Sequence, residues 1–329
     1  MPARRPSLNE LPRVWDTAIL LLIALGAGAA MLSVSHMRQP DIGDAARLFW
    51  IACGLLGFCG SFLVFYGSFI EPKRLYLNKK CILFPHPAKI RIAVVGDLHV
   101  GDYKGAAFVE RVVRNVNALE ADIVLLVGDF LDGEASNIED LAPLRALRAR
   151  FGTFAVTGNH DAGYYTTFRT KTPYRRKDRT EEVRATLESF GIQFLRNTAH
   201  FLTIAGEPIA IAGIDDVWME SSSLDRAFAG IVKDTPLILL SHSPDVILQQ
   251  QSRRAHLIVS GHTHGGQIRL PLIGPLAGIP DKLGRAFDRG LFYIGSTTTL
   301  AITAGAGETL ARARLFCRPE ILVLETTGD

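Results

Sequence analysis

Ten residues of the 329-residue chain have the types and spacing to do chemistry together. They fall in five short motifs: Asp97 and His99 in VVGDLHVGD, Asp129 and Asp132 in LVGDFLDG, Asn159, His160 and Asp161 in VTGNHD, His242 in LLSHSPD, and His262 and His264 in VSGHTHGGQ. Their donors are oxygen and nitrogen only, which suits Mn²⁺, Fe²⁺, Zn²⁺ or Mg²⁺ (manganese favoured) and excludes a Cys-based structural zinc. Asp-x-His and His-x-His spacings place i and i+2 on one side of an extended segment, so both side chains can reach one ion. Asp97, His99, Asp129, His242, His262 and His264, together with Asn159, are too many for one tetrahedral ion and match two. Asp129 is the natural bridge, because one carboxylate can offer an oxygen to each of two cations about 3.5–4 Å apart. Two divalent cations less two carboxylates and a bridging hydroxide leave a charge of roughly +1, suited to an anionic phosphoryl group that the hydroxide attacks in line. Without cations, gathering these groups in a half-buried site would cost several kcal/mol.

Each motif follows a short apolar run, and these runs must bring the residues together. Ile90–Val95, Ile123–Val127, Phe154–Val156, Leu237–Leu240 and Leu257–Val259 read as strands, each running into Gly, Thr or Ser and then into ligand-type residues. In an open α/β sheet the carboxyl ends of the strands face one crevice, so residues far apart in the chain converge there. Helices are expected over Gly105–Leu119, about Asn137–Arg150 (Ser136 and Glu139 in capping-box spacing) and Thr180–Phe190. Further strands are expected around Phe201–Ile204, Ile209–Ala212, Leu291–Ile294 and Ile321–Leu324, which gives a layered α/β body with two sheets.

Taken in order, GDLH, GDFLD, GNHD, SHSP and GHTHGG resemble the calcineurin-like metallophosphoesterase superfamily over residues 90–329. The resemblance implies a four-layer αββα sandwich with a dinuclear centre in its loops. It implies that Asp97, His99 and His264 hold one metal, that Asn159, His242 and His262 hold the other, and that Asp129 bridges. It further implies that His160 contacts the phosphate and stabilises or protonates the leaving oxygen, as an imidazolium beside the carboxylate of Asp161, which orients it. Asp132 is better placed to receive the other N–H of a ligand histidine than to chelate. DLHVGD, GIDD at Gly213–Asp216, GHTHGGQ and the terminal RLFCRPEI are similar to the membrane-anchored YkuE/YaeI-like branch, which includes lipid-active enzymes, among them a pyrophosphatase acting on UDP-2,3-diacylglucosamine. The chain departs from many relatives at Gly295–Glu308, where GSTTTLAITAGAGE stands in place of a more glycine-rich segment.

The N-terminal part is of another kind. Leu48 to Ile70 is 23 residues without a charge and Ala18 to Val34 is 17; a bilayer core of about 30 Å needs about 20 residues of helix. A two-helix transmembrane hairpin over about 18–37 and 48–70 is expected, then a juxtamembrane linker at 71–89 and the catalytic domain at 90–329. A cleaved signal peptide competes for the first span, but no clear small-x-small site precedes His36 and the second span follows at once. Arg4, Arg5 and Arg13 precede the hairpin, Arg38 and Arg47 lie in its loop, and Lys73, Arg74, Lys79 and Lys80 follow it. The positive-inside rule then places the domain on the cytoplasmic side of a cell inner membrane, as a multi-pass protein. Cys53 and Cys59 lie in the second span, and Cys81 and Cys317 suggest no disulfide framework.

A net charge of +3, from 36 basic and 33 acidic residues, excludes a nucleic-acid binder working by bulk charge. Two stretches bear on substrate. Arg169, Lys171, Arg175, Arg176, Lys177 and Arg179, interleaved with Tyr164, Tyr165, Phe168 and Tyr174, follow GNHD directly and could dock on anionic headgroups or form a solvated loop. Ile268–Leu283 is apolar and broken by prolines, so it could dip into a leaflet or pack over a sheet edge. Asp215 and Asp216 either line the pocket or cap a turn. The reading is a dinuclear metal phosphohydrolase acting on a mono-, di- or pyrophosphate of a membrane lipid or nucleotide-linked lipid precursor, with no obligate protein partner. A soluble-nucleotide phosphodiesterase and a non-catalytic membrane scaffold are the alternatives.

Overall fold

A computed structural model describes residues 11–165, 174–279 and 281–327. Two apolar helices lead the chain, Leu11–Met37 (α1) and Asp44–Phe65 (α2), and α2 continues through a π-helical turn at Tyr66–Ile70 and a 3-10 turn at Glu71–Lys73. Val14–Met37 and Asp44–Lys73 are long and apolar enough to cross a membrane. Both exceed the uncharged runs, because charged residues such as Asp16, Asp44 and Arg47 are tolerated where a helix end reaches the headgroup zone. Leu25, Met31, Leu55, Leu56 and Phe58 are exposed along them, as a lipid-facing surface requires. The two helices are joined by Ser61, whose hydroxyl donates to the carbonyl of Ile23 at 2.8 Å.

Residues 71–89 are not merely a connector. Tyr76–Leu83 (β1) is an edge strand, paired in parallel with the last strand of the chain, and Ile82 and Phe84 are buried between the sheets. The basic pair Lys79 and Lys80 disguised it, since lysine is what an edge strand carries to deter further pairing. After it come Arg91–Val95 (β2), Ala106–Asn117 (α3), Ile123–Leu126 (β3), Thr153–Ala155 (β4), Tyr164–Tyr165 (β5), Tyr174–Arg175 (β6), Thr180–Ser189 (α4) and Gln193–Phe194 (β7). The second half holds Thr198–Ile204 (β8), Glu207–Gly213 (β9), Leu224–Ala227 (α5), Leu237–Leu240 (β10) and Leu257–Ser260 (β11). Arg269–Leu270 (β12), Gly274–Pro275 (β13), Gly290–Ile294 (β14), Thr298–Ile302 (β15) and Glu320–Thr327 (β16) follow. The helix expected over about 137–150 is a 3-10 helix at Ile138–Ala146 instead. Pro143 lies inside it and denies an α-helix its hydrogen bond, and Asn137 rather than Ser136 caps it, accepting from the Glu139 amide at 3.2 Å.

The strands form two six-stranded mixed sheets, β1-β16-β2-β3-β4-β7 and β14-β15-β11-β10-β9-β8. Period-two alternation decides the layers. Ile92, Val94, Ile123 and Leu125 of the first sheet face Ile209, Ile211, Ile238, Leu240 and Val259 of the second in a buried core. Their alternates Ala93, Val95, Val124 and Leu126 pack under α3 and α4. Ala210, Ala212, Leu237 and Leu239 pack on the other side, under α5 and the 3-10 turn at Pro244–Leu248. The result is an α/β sandwich of two mixed sheets flanked by helices. β2, β3 and β4 run parallel, as do β9, β10, β11 and β15. Phe84 is 1% exposed in the inter-sheet core, so Phe84→Ala is expected to cost about 3–5 kcal/mol. A lowered denaturant midpoint in detergent would show it; an unchanged midpoint would mean that the first strand's flank is peripheral.

Candidate dinuclear metal centre

The five motifs meet because both sheets deliver strand ends to one seam. Asp97 follows β2, Asp129 follows β3, Asn159 follows β4, His242 follows β10 and His262 follows β11. Backbone bonds stitch the loops together: the Asp97 amide donates to the Gly128 carbonyl at 3.1 Å, His99 to Asp129 at 3.0 Å and Gly261 to His242 at 3.0 Å. The turns are tight. Asp97, His99, Asp129, His262 and His264 have φ of 54, 44, 52, 67 and 51°, a left-handed region that non-glycine residues enter at a cost of about 1–3 kcal/mol each and in which Asp and His are enriched. Two glycines permit the approach. A Cβ on Gly158 would lie 2.1 Å from Asp129 Oδ1, and one on Gly305 (φ 70°) would lie 2.7 Å from Asp97 Oδ2.

Two triads result, Asp97–His99–His264 and Asp129–His242–His262, each with ligand-type atoms within 4.8 Å of one another and all six residues buried. Asp129 Oδ2 lies between them, 3.3 Å from His99 Nε2 and 3.2 Å from His242 Nε2. His99 Nε2 and His264 Nε2 face each other at 3.1 Å. His242 Nε2 is 3.1 Å from Asn159 Oδ1 and 3.2 Å from His262 Nδ1. Asp97 Oδ2 is buried without a hydrogen-bond partner among the described residues. Lone pairs converging from imidazoles and carboxylates, one of them unpartnered, are a donor set that fits divalent cations.

Three of the ring nitrogens not turned inward face an oxygen outside the cluster, while His264 Nδ1 has no hydrogen-bond partner among the described residues. His242 Nδ1 donates to the Val127 carbonyl at 2.6 Å. Asp132 Oδ1 lies 3.3 Å from His99 Nδ1, and Asp281 Oδ1, unremarked in the sequence, lies 3.3 Å from His262 Nε2. Burial opposes an imidazolium at His99, but Asp129 and Asp132 outweigh it and push its pKa up to about 10. His242 is likewise raised despite burial, by Asp129 and Asp97. Burial and the neighbouring His242 charge bring His262 down to about 3, and burial raises Asp97 to about 6. The carboxylates thus favour the charged forms of His99 and His242 in the metal-free site.

One expectation needs correction. Asp161 does not face the His160 imidazole: its carboxylate accepts from the Phe130, Leu131 and Gly158 amides at 3.0, 3.1 and 3.0 Å and braces the loops carrying Asp129 and Asn159. His160 Nδ1 instead donates to the Asp132 carbonyl at 3.1 Å, and burial lowers its pKa in the free site. Asp215 is bound by Arg196, Asn197 and Ser221, a structural role. Asp216 accepts from the Trp218 amide at 2.8 Å in a turn that sets the indole 5.1 Å from the His262 ring. Arg179 is buried and bonded to the Ser136 carbonyl and Glu182; Arg169, Lys171 and Phe168 lie outside the described residues.

A profile of the Calcineurin-like phosphoesterase family matches residues 90–266, more than half of the chain. The chain belongs to this family, and with its buried triads it is a hydrolase of the metal-dependent phosphoesterase class. It is 30% identical over 266 residues to the uncharacterized metallophosphoesterase YkuE of Bacillus subtilis, covering 78% of this chain and 87% of that protein. It is 33% identical over 256 residues to the transmembrane protein with metallophosphoesterase domain of Bos taurus, covering 73% of this chain and 53% of the relative, about half its length. Among solved structures, phosphopantetheinyl hydrolase from Mycobacterium tuberculosis is 14% identical with a TM-score of 0.39, covering 66% of this chain and 89% of that one, too distant to bear on the assignment.

Gly158→Ala is expected to displace Asp129 and lower bound divalent metal, read by elemental analysis; full occupancy would show that the loop accommodates a methyl group. Because the neighbouring carboxylates raise the pKa values of His99 and His242, loading the metal-free protein should release protons and tighten as pH rises. Calorimetry in buffers of different ionisation enthalpy measures this, and affinity that weakens from about pH 6 to 8 would overturn it.

Proposed function

We propose that the protein is a dinuclear phosphohydrolase working on phosphate esters or anhydrides of membrane lipids or their nucleotide-linked precursors, with manganese as the favoured metal. The observation that carries the hydrolytic part is the pair of triads with Asp129 Oδ2 between them. In this reading Asp97, His99 and His264 hold one cation, Asn159, His242 and His262 hold the other, and Asp129 serves both. When bound, the cations supply Lewis acidity toward the phosphoryl oxygens and a water activated at neutral pH. His99 is kept in register by Asp132, and His242 by the Val127 carbonyl. His160 stands at the edge of the cluster, its ring 4.6 Å from that of His99, where it can contact the phosphate, whose negative charge would favour the imidazolium that stabilises or protonates the leaving oxygen. Asp161 acts through the backbone, fixing the loops on either side.

Membrane association is supported by the two apolar helices and by the transmembrane relative. The lipid substrate is supported by how the domain meets the hairpin. Leu272, Ile273 and Leu276, in and beside the β12–β13 turn, are exposed rather than packed over a sheet edge. The stem of that turn bonds Leu315, next to Phe316, whose amide donates to Glu71 at the end of the second span. An apolar tip so tied to a span is placed to enter the same leaflet. The flanking lysines and arginines support a domain on the cytoplasmic face of an inner membrane. Anchoring then raises the local concentration of a leaflet substrate without extra affinity in the pocket.

Metal-reconstituted full-length protein should be offered a nitrophenyl phosphate, a bis(nitrophenyl) ester, free nucleotides, phosphatidylglycerophosphate and UDP-linked diacylglucosamine. Turnover of a lipid in vesicles, with poor turnover of free nucleotides and loss of activity in Asp129→Ala, is expected. Undiminished hydrolysis in Asp129→Ala would end the dinuclear reading; preference for free nucleotides would end the lipid one.

A further inference from the structure

We propose that α1 forms a wall of the active-site cleft, and that Arg176 in this cleft holds an anionic phosphate oxygen of a lipid headgroup still seated in the leaflet. This deepens the lipid phosphohydrolase reading and rests on it.

A cleft of about 110 Å³ is lined by His160 and Asp132 from the metal loops and also by Trp15 of α1. A single water needs roughly 10–15 Å³ on the same scale, so there is room for a phosphate and its substituent. Trp15 is the second residue of the span Val14–Met37, at the depth where tryptophan sits among lipid headgroups. The contact between the hairpin and the domain is fixed by several groups, one on α1 and the rest at the end of the second span. Arg312 pairs with Asp16 at 2.7 Å and lies 4.4 Å over the ring of Tyr103, which also lines the cleft. The Arg314 amide donates to the Gly67 carbonyl at 2.8 Å, and the Glu71 carboxylate accepts from Phe316 and Cys317. The cleft containing His160 is thus bounded by the headgroup end of a membrane helix.

Arg176 is the lysine-or-arginine member of the described lining. Its guanidinium lies 5.1 Å from the Tyr165 ring and 5.4 Å from that of Tyr174, and Tyr165 in turn lies 4.4 Å from the His160 ring. The cation therefore stands one aromatic ring beyond His160. Nη2 reaches the Tyr174 hydroxyl at 3.4 Å, but Nη1 is buried with no hydrogen-bond partner among the described residues. No described carboxylate forms an ion pair with it, and of the two acids in the lining Asp132 is turned toward His99. A buried charged donor without an acceptor is costly to leave unmade, and a phosphate oxygen is the acceptor that a guanidinium matches in charge and geometry. The stacked tyrosines hold the guanidinium in place before an anion arrives, so little ordering remains to be done on binding.

The test uses full-length protein and kinetics on phosphatidylglycerophosphate in phosphatidylcholine vesicles, with bis(nitrophenyl) phosphate as the soluble comparison. Arg176→Ala is expected to raise KM for the lipid about ten- to hundredfold, the loss of one charge-assisted bond, with kcat changed far less. Arg176→Lys should recover part of it, and Trp15→Ala should shift the lipid KM in the same direction. Metal content and Tm are measured alongside, so that a folding defect is recognised and Arg176→Lys then decides. An Arg176→Ala ratio of lipid to soluble kcat/KM equal to that of the wild type would overturn the proposal, as would a fall in kcat at constant KM. Wild-type protein that cleaves the soluble ester but no lipid would sink the lipid reading itself; wild-type lipid turnover with an unchanged ratio would sink this inference alone.

Discussion

Asp129 is a buried carboxylate with an imidazole from each sheet at hydrogen-bond range, and the arrangement of both halves of the sandwich follows from having to surround it. Carboxylates and imidazoles at such density are stable in a low-dielectric seam only if positive charge is held among them. Protons on His99 and His242 can provide it, and divalent cations provide more. The left-handed turns at Asp97, His99, Asp129, His262 and His264 are backbone strain held at the site by the surrounding packing. Inter-sheet packing of residues such as Val94, Leu125, Leu240 and Val259 is what holds those turns in register.

The segment between β15 and β16 ties the site to the membrane. Gly305 lies against the Asp97 side chain, and the Gly307 amide donates to the Asp97 carbonyl at 2.6 Å. Arg314, fully buried, bonds the carbonyls of Ala304 and Cys317 and pairs with Glu308, which also holds Lys104. The next residues bind the end of the second span through Glu71. A run of about a dozen residues therefore touches a metal-type ligand at one end and the hairpin at the other. The departure from relatives seen at Gly295–Glu308 leaves this cradle intact, since Gly305 and Gly307 stand where the close approach occurs.

Much of the site was legible because ligand chemistry is local: a strand, a small residue, then Asp, Asn or His. The carboxyl-end rule for parallel strands sufficed to expect their meeting. What was missed follows from physics that short windows do not contain. β1 was hidden by its edge lysines, and β15, with its threonines, lies deep in the second sheet without a long apolar run to announce it. The 3-10 helix at 138–146 was misjudged because the capping signal outweighed Pro143. Asp161 looked like a partner for its neighbour His160, but adjacent side chains on a tight turn diverge, and its oxygens found three amides from other loops instead.

The amino-acid order alone determined the donor chemistry, the two apolar spans and the alternation that makes two sheets with a core between them, because each depends on residue type and periodicity along a few turns or strands. Tertiary structure decided which imidazoles share Asp129, that Asp281 backs His262, and that Trp15 and Arg176 border the same cleft as His160. Those pairings join residues of different loops and elements, and only the packing of the two sheets and the hairpin sets the distances between them.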